Sequence, residues 1–355
     1  MKQKVYYEFV NIVKLLLAIS VVAMHCALVP DRSMLMLLVC RLAVPYFFLA
    51  SGFFLKRKIG EDEPSGAVKG YLRRLLLPFS IFSIVWIAQM FVDDAIEGLG
   101  IGESILGVIQ SILFFPRGAL WYVWASILGV VMLYPFLRKR KLIYALPVAL
   151  VLYIAGLLAN NYYFLANGIT WLKPIVDGYL SICLTSNNAP FVGFVFLLIG
   201  MLISEYDEKL AGKRGVIACA LLLAVSGVLM VCEAKFIWDK GNIAGDGAFY
   251  VSQLVYVPAA FFLSTKVKCP HFSRGLTDTA KWMSTGIYFL HVPVLWIMHR
   301  IAEHILPRIP GLSRLAPLFD HAFVCFACCL VICVSICLLA YRYPNSSMCR
   351  ILKWE

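Results

Sequence analysis

Long apolar blocks separated by short polar and charged segments dominate the chain. They lie at about 9–29, 34–55, 72–92, 119–137, 142–159, 190–204, 214–232, 248–265, 284–302 and 317–341. A helix crossing the hydrocarbon of a bilayer needs about 20 residues, so each block predicts a membrane span, with 190–204 extending a few residues upstream. Segment 101–116 is also apolar, but Pro116 breaks it and no charged exit follows, which predicts a re-entrant or interfacial piece. The first block follows Lys2 and Lys4 as a signal peptide would. It is too long for a signal core, lacks a small-residue cleavage site and carries Lys14 and His25, so it predicts a retained helix. The expectation is an all-α, polytopic bundle of about ten transmembrane helices forming one membrane domain over residues 1–355.

Composition agrees: 61% of residues are hydrophobic, 15% are charged, and the mean hydropathy is +0.83. A soluble domain averages about 45–50% apolar and about 25% charged. The values here exclude a soluble globular enzyme, a disordered chain and a secreted disulfide scaffold. The formal net charge of +12 would suggest nucleic acid on a soluble protein. Here it follows membrane topology instead. With the N-terminus in the cytoplasm, 22 of the 32 Lys and Arg fall in inside segments and 8 in outside segments, while Lys14 and Arg41 lie within helices. That asymmetry predicts both termini on the cytoplasmic side of a bacterial-type cell membrane, a lipid bilayer as partner and no nucleic acid. It also puts the Asn345 acceptor sequon on the side where glycosylation does not occur.

Two outer loops are expected, 160–189 with Tyr162, Tyr163, Trp171 and Asp177, and 233–247 with Glu233, Asp239 and Asp246. Of the 12 cysteines, Cys325, Cys328, Cys329, Cys333 and Cys337 recur at steps mostly of three and four inside one apolar block. That spacing puts most of them on one helix face, where free Cys packs as a small hydrophobe, and no Cys or His spacing matches a zinc site.

An ionisable side chain inside a span is expensive and marks a functional site by default. The first block holds two, Lys14 and His25. Eleven residues amount to three helical turns plus about 20°, so they share a face and stand about 16 Å apart along the axis. Snorkelling explains Lys14 taken alone, and a packing role explains His25 taken alone; a shared stripe weakens both explanations. The second block carries Arg41 near the depth of His25, and then Pro45, which frees a carbonyl, and the small pair Ser51-Gly52. A basic inner loop ending in Lys69, Arg73, Arg74 and Pro78 answers the lipid surface, and its arginine pair also suits phosphates. Leu120-Trp121-Tyr122 opens a later block as an aromatic belt would, and Gly286 to Pro293 places His291 beside a proline. His271, His299, His304 and His321 fall at block ends or in loops and receive no role.

In this order the motifs resemble those of acyltransferase family 3, membrane acyltransferases acting on bacterial surface glycans and related acceptors. The pieces are Lys14-x10-His25 preceded by Asn11, Pro45-x-Phe47-Phe48-x-x-Ser51-Gly52, the basic Arg73-Arg74 stretch before Pro78, Leu120-Trp121-Tyr122, and Gly286-x-Tyr288-x-x-His291-x-Pro293. Two positions depart. An Arg-x-x-Arg pair is replaced by Lys69, Arg73 and Arg74, leaving open which of them meets the donor. A Glu five residues after the Trp is replaced by Ser126.

The resemblance implies an acyl-CoA donor, commonly acetyl-CoA; the cysteine and histidine spacing leads to the expectation of no metal. The donor's phosphates would meet Arg73, Arg74 and Lys14, with Ser51 along the arm that carries the thioester to His25. His25 would act as general base and Arg41 would stabilise the oxyanion. Asn11, Trp121, Tyr122 and His291 are expected at the substrate, an extracytoplasmic glycan or other hydroxyl acceptor. The competing expectation is a polytopic transporter or flippase. An inverted repeat is not visible and intramembrane acids are nearly absent, which weighs against it.

Overall fold

A computed structural model describes residues 7–60, 62–116, 118–210, 212–241, 243–244, 247–268, 274–309 and 312–343. Lys2, Lys4, Asp246, His271 and Asn345 lie outside the described residues. Those described are mainly helical, with no strand among them. The helices are α1 Glu8–His25, α2 Arg41–Ile59, α3 Pro64–Glu97, α4 Ile101–Phe114, α5 Leu120–Arg138, α6 Leu146–Leu158, α7 Tyr163–Asn167 and α8 Lys173–Cys183. They continue with α9 Phe194–Leu210, α10 Lys213–Lys240, α11 Gln253–Lys266, α12 Arg274–Arg300 and α13 Ala322–Arg342.

Each of the ten apolar blocks coincides with a helix. Among the described residues, seven helical segments are long and apolar enough to cross a membrane, those of α1, α2, α3, α5, α9, α10 and α13. The block at 142–159 forms a shorter apolar helix. The block at 248–265 yields the 14-residue α11, and that at 284–302 falls on α12, whose first turns are polar, and on the helical turn Ile301–Ile305 that follows it.

Four local features depart from the sequence expectation. The basic stretch with Lys69, Arg73 and Arg74 is not a loop but the opening of α3. Pro64 sits in the first turn and the Glu63 carboxylate accepts the Ser65 N–H at 2.9 Å, a capped start upstream of the apolar block. The outer segment 160–189 folds into α7 and α8, and α10 runs on to Lys240, so Glu233 and Asp239 are helical. α1 ends at His25 rather than near residue 29, and Ala27, at φ 53°, turns the chain away.

The chain divides into two compact units, residues 1–43 with 267–355, and residues 44–266. In the first, α12 packs along α1 and against α13. Val10, Leu17, Ala18, Val21 and Val22 of α1 are buried there with Ile287 and Phe289 of α12. Cys325, Cys329, Cys333 and Cys337 are buried on one face of α13 as free thiols, as their four-residue spacing predicts.

The second unit is built round α5 and α9. A Cβ at Gly52 of α2 would run into the Leu197 carbonyl of α9, and one at Gly200 into the Leu49 carbonyl of α2. The two backbones therefore touch, as small residues permit between spans. At one end Asp207 of α9 pairs with Arg57 of α2 and Lys266 of α11. Further along, Glu233 accepts from the Tyr162 hydroxyl at 2.7 Å and from the Ser252 N–H at 2.9 Å. Buried Asn160 accepts the Ala248 N–H at 2.9 Å, which fixes the segment leading into α11.

Candidate functional site

In the first unit α1 is an unbroken helix, so the eleven-residue step from Lys14 to His25 keeps its geometry, the same face and about 16 Å. Asn11 is buried near the start of α1, Lys14 is half-buried and His25 is exposed. The His25 ring lies 5.1 Å, centroid to centroid, from that of His291 on α12, at an interplanar angle of 42°. Arg41 stands close enough for its charge to act on His25. The structure thus gathers His25, Arg41 and His291, residues far apart in the chain, and sets Lys14 and Asn11 further down the same helix.

His291 is buried, and its Nδ1 lies 3.2 Å from the Ile287 carbonyl. The ring of Tyr288 stands 5.8 Å away, and the Cys329 thiol donates to the His291 carbonyl. The arrangement is an accessible imidazole at a helix end, flanked by a guanidinium and backed by a buried second imidazole. A general base needs access and a fixed ring, and an oxyanion needs a cationic donor.

In the second unit Ser51 and Tyr122 come together, Oγ to hydroxyl at 3.0 Å, and the Tyr122 hydroxyl also donates to the Phe47 carbonyl at 3.2 Å. Tyr71 of α3 stands near Ser51 and Ser126, and Ser126 donates to the Tyr122 carbonyl at 2.8 Å. Sequence reasoning missed Tyr71. Its signal was the three-residue step to Arg74, which shares a helix face only once α3 is known to begin at Pro64. The half-buried Arg74 donates Nε–H to the Gly70 carbonyl at 3.2 Å, and Arg73 is exposed.

Trp121 is half-buried beside Phe115, with ring centroids 6.1 Å apart. With Trp124, Tyr179 and Asn188 it lines a half-open, mainly apolar cavity of about 170 Å³. On α8, Asp177 accepts from Lys173 and from the Tyr163 hydroxyl, which holds its carboxyl below the usual carboxylate range and raises Lys173. Among the described residues no group of three or more His, Cys, Asp or Glu could hold a metal ion.

Comparison with known proteins adds two findings. The sequence model of a family described as an acyltransferase domain matches residues 7–340. The chain is 24% identical over 315 residues to an amino-acid racemase of Enterococcus faecalis, covering 87% of this chain and 41% of that protein. It is 23% identical over 273 residues to another from the same organism, covering 76% of this chain and 37% of that one. It is also 25% identical over 305 residues to a serine/alanine racemase of Enterococcus gallinarum, covering 82% of this chain and 41% of that protein. The chain thus spans about two fifths of the length of the curated relatives it matches. No solved structure matches.

Proposed function

The chain belongs to acyltransferase family 3, and from that premise we propose that it carries an acyl group, in the first instance acetyl, from cytoplasmic acyl-CoA to a hydroxyl of an extracytoplasmic glycan or similar acceptor. The observation that carries the reading is the cluster in the first unit. The accessible His25 closes a helix that bears Lys14 on the same face, with Arg41 beside it. His25 takes the proton of the acceptor hydroxyl as the oxygen bonds to the thioester carbonyl carbon. Arg41 stabilises the tetrahedral oxyanion, which a low-dielectric setting makes more effective. The carbon–sulfur bond then breaks, and the departing thiolate takes the proton back from His25. The products are an ester and free CoA thiol.

The donor contacts proposed are Lys14, Arg73, Arg74 and Ser51, the arginines suiting phosphate through their forked donors. Asn11, Trp121, Tyr122 and His291 are proposed on the substrate side. Both termini are placed in the cytoplasm and the chain in a bacterial cell membrane, following the positive-inside asymmetry. Racemisation is named for proteins more than twice this length and is not assigned to this chain.

The test is free-thiol release from acetyl-CoA by the protein in nanodiscs, given a cell-envelope glycan fraction, beside His25→Ala. Release that vanishes in a folded variant supports the reading. Equal release from both removes His25 from it.

A further inference from the structure

His291 sits where burial and hydrogen bonding disagree. Its ring is 1% exposed. The Ile287 carbonyl 3.2 Å from Nδ1 can only accept, so Nδ1 carries the proton of the neutral ring and Nε2 is a lone-pair acceptor. That Nε2 is buried with no hydrogen-bond partner. Folded proteins pair the great majority of such atoms, so an orphan calls for a partner that arrives during function.

The neighbouring donor-to-be is His25, its ring centroid 5.1 Å away. His25 is exposed, and the terminal torsion of a histidine is broad, so its ring can turn a nitrogen toward a fixed neighbour. A catalytic histidine commonly has a carboxylate behind it to hold its ring and receive its second N–H. Here α1, α12 and α13 carry no carboxylate within two turns of either ring. Arg41 acts on His25, while the Tyr288 ring and the Cys329 thiol meet His291.

We infer that His291 is the proton-sharing partner of His25: when His25 takes the acceptor's proton, its other N–H donates to His291 Nε2, and the two imidazoles hold one proton between them. The inference rests on the acyl-transfer reading of His25 and deepens it. The shared proton is the one removed from the hydroxyl, and it leaves again on the departing thiolate, so the pair ends each turnover neutral. Two imidazoles in contact do not both stay charged, because like charges at that distance disfavour double protonation. In this scheme His291 acts behind His25, in place of the direct substrate contact that the family resemblance implied. It is a positioning residue.

The experiment uses the full chain in nanodiscs with nitrogen-15-labelled histidine. In the native protein, lowering the pH until His25 protonates should bring up a nitrogen–nitrogen coupling across a hydrogen bond between His25 and His291 Nε2. Absence of that coupling at every pH over which His25 titrates overturns the inference, and this reading needs no variant to fold. Acetyl-CoA turnover is measured beside it. His291→Phe should lower kcat by about 10–100-fold, a part of the 10²–10⁴-fold that proton transfer contributes, with KM for acetyl-CoA unchanged. His291→Gln, with an amide oxygen able to stand near Nε2, should recover part of the loss. An unchanged kcat in His291→Phe also overturns the inference. Coupling without turnover in the native protein supports the pair and defeats the acyl-transfer reading instead.

Discussion

Asp207 offers a magnitude that the structure fixes closely. Its side chain is 10% exposed, with one oxygen 2.5 Å from Arg57 Nη2 and the other paired with Lys266, so that α2, α9 and α11 meet on one carboxylate. Asp207→Asn keeps the volume and removes the charge. A hydrogen bond to a charged group contributes about 1.5–3 kcal/mol when well buried. Arg57 is 34% exposed and Lys266 18%, so water compensates the freed cations in part. Discounting the Arg57 pair toward the surface range of about 0.5–1 kcal/mol and keeping about 1.5–3 kcal/mol for Lys266 leaves a total loss of about 2–4 kcal/mol. At about 2–4 °C per kcal/mol for a unit of this size, Tm in nanodiscs should fall by about 4–16 °C.

Glu205→Gln is the control. It breaks the Lys56–Glu205 pair, 3.2 Å long with partners 22% and 39% exposed, and should cost less than about 1 kcal/mol. The Asp207 effect should persist in 1 M salt and the Glu205 effect should vanish there, because screening acts mainly on exposed pairs. A Tm loss for Asp207→Asn no larger than for Glu205→Gln would refute the reasoning. So would a double-mutant cycle with Arg57→Gln that shows coupling below about 0.3 kcal/mol.

Gly52→Ala should destabilise by about 1–3 kcal/mol, because its Cβ meets the Leu197 carbonyl and the α2–α9 crossing must open; a Tm within 1 °C of native would show that the crossing yields freely. Tyr122→Phe removes the hydroxyl that joins Ser51 to the Phe47 carbonyl, about 1–2 kcal/mol of hydrogen bonding, and should raise KM for acetyl-CoA several-fold. An unchanged KM removes Ser51, as held by Tyr122, from the donor contacts. Hydrogen bonds from Lys173 and Tyr163 depress Asp177, so its contribution to the order of α8 is full above the usual carboxylate range and is lost as pH falls through the depressed value. Lys173 is raised, chiefly by its hydrogen bond to Asp177, so its contribution is full below the usual lysine range and is lost as pH climbs through the raised value. Protection factors across residues 163–183, taken relative to the intrinsic exchange rate at each pH, should therefore be highest between those limits; protection that stays flat through the acidic limb would contradict the Asp177 part.

What the sequence disclosed follows from which interactions are local. Block length alone locates α1, α5 and α13, since hydrocarbon thickness sets how much apolar chain a span needs. The four-residue recurrence of Cys325, Cys329, Cys333 and Cys337 predicts their shared buried face. Lys14 and His25 lie on one helix, so their spacing is legible without a fold. Helix ends are less legible. The start of α3 depends on Glu63 and Pro64 outside the apolar block, and the end of α1 on a positive φ at Ala27 that no glycine announces. Contacts between distant helices were least legible. Composition pairs neither His25 with His291 nor Tyr71 with Ser51, because each pairing is made by packing across the bundle.

The central claim, delivery of an acyl group across the bilayer by way of His25, is tested most directly in right-side-out vesicles that retain their envelope glycans. Vesicles from cells expressing the native chain or His25→Ala are loaded with radiolabelled acetyl-CoA, and ester label on externally accessible glycan is counted. The account predicts label outside with the native chain and background counts with His25→Ala at equal expression. External label that persists in His25→Ala, or that appears only when acetyl-CoA is supplied from outside, would contradict it.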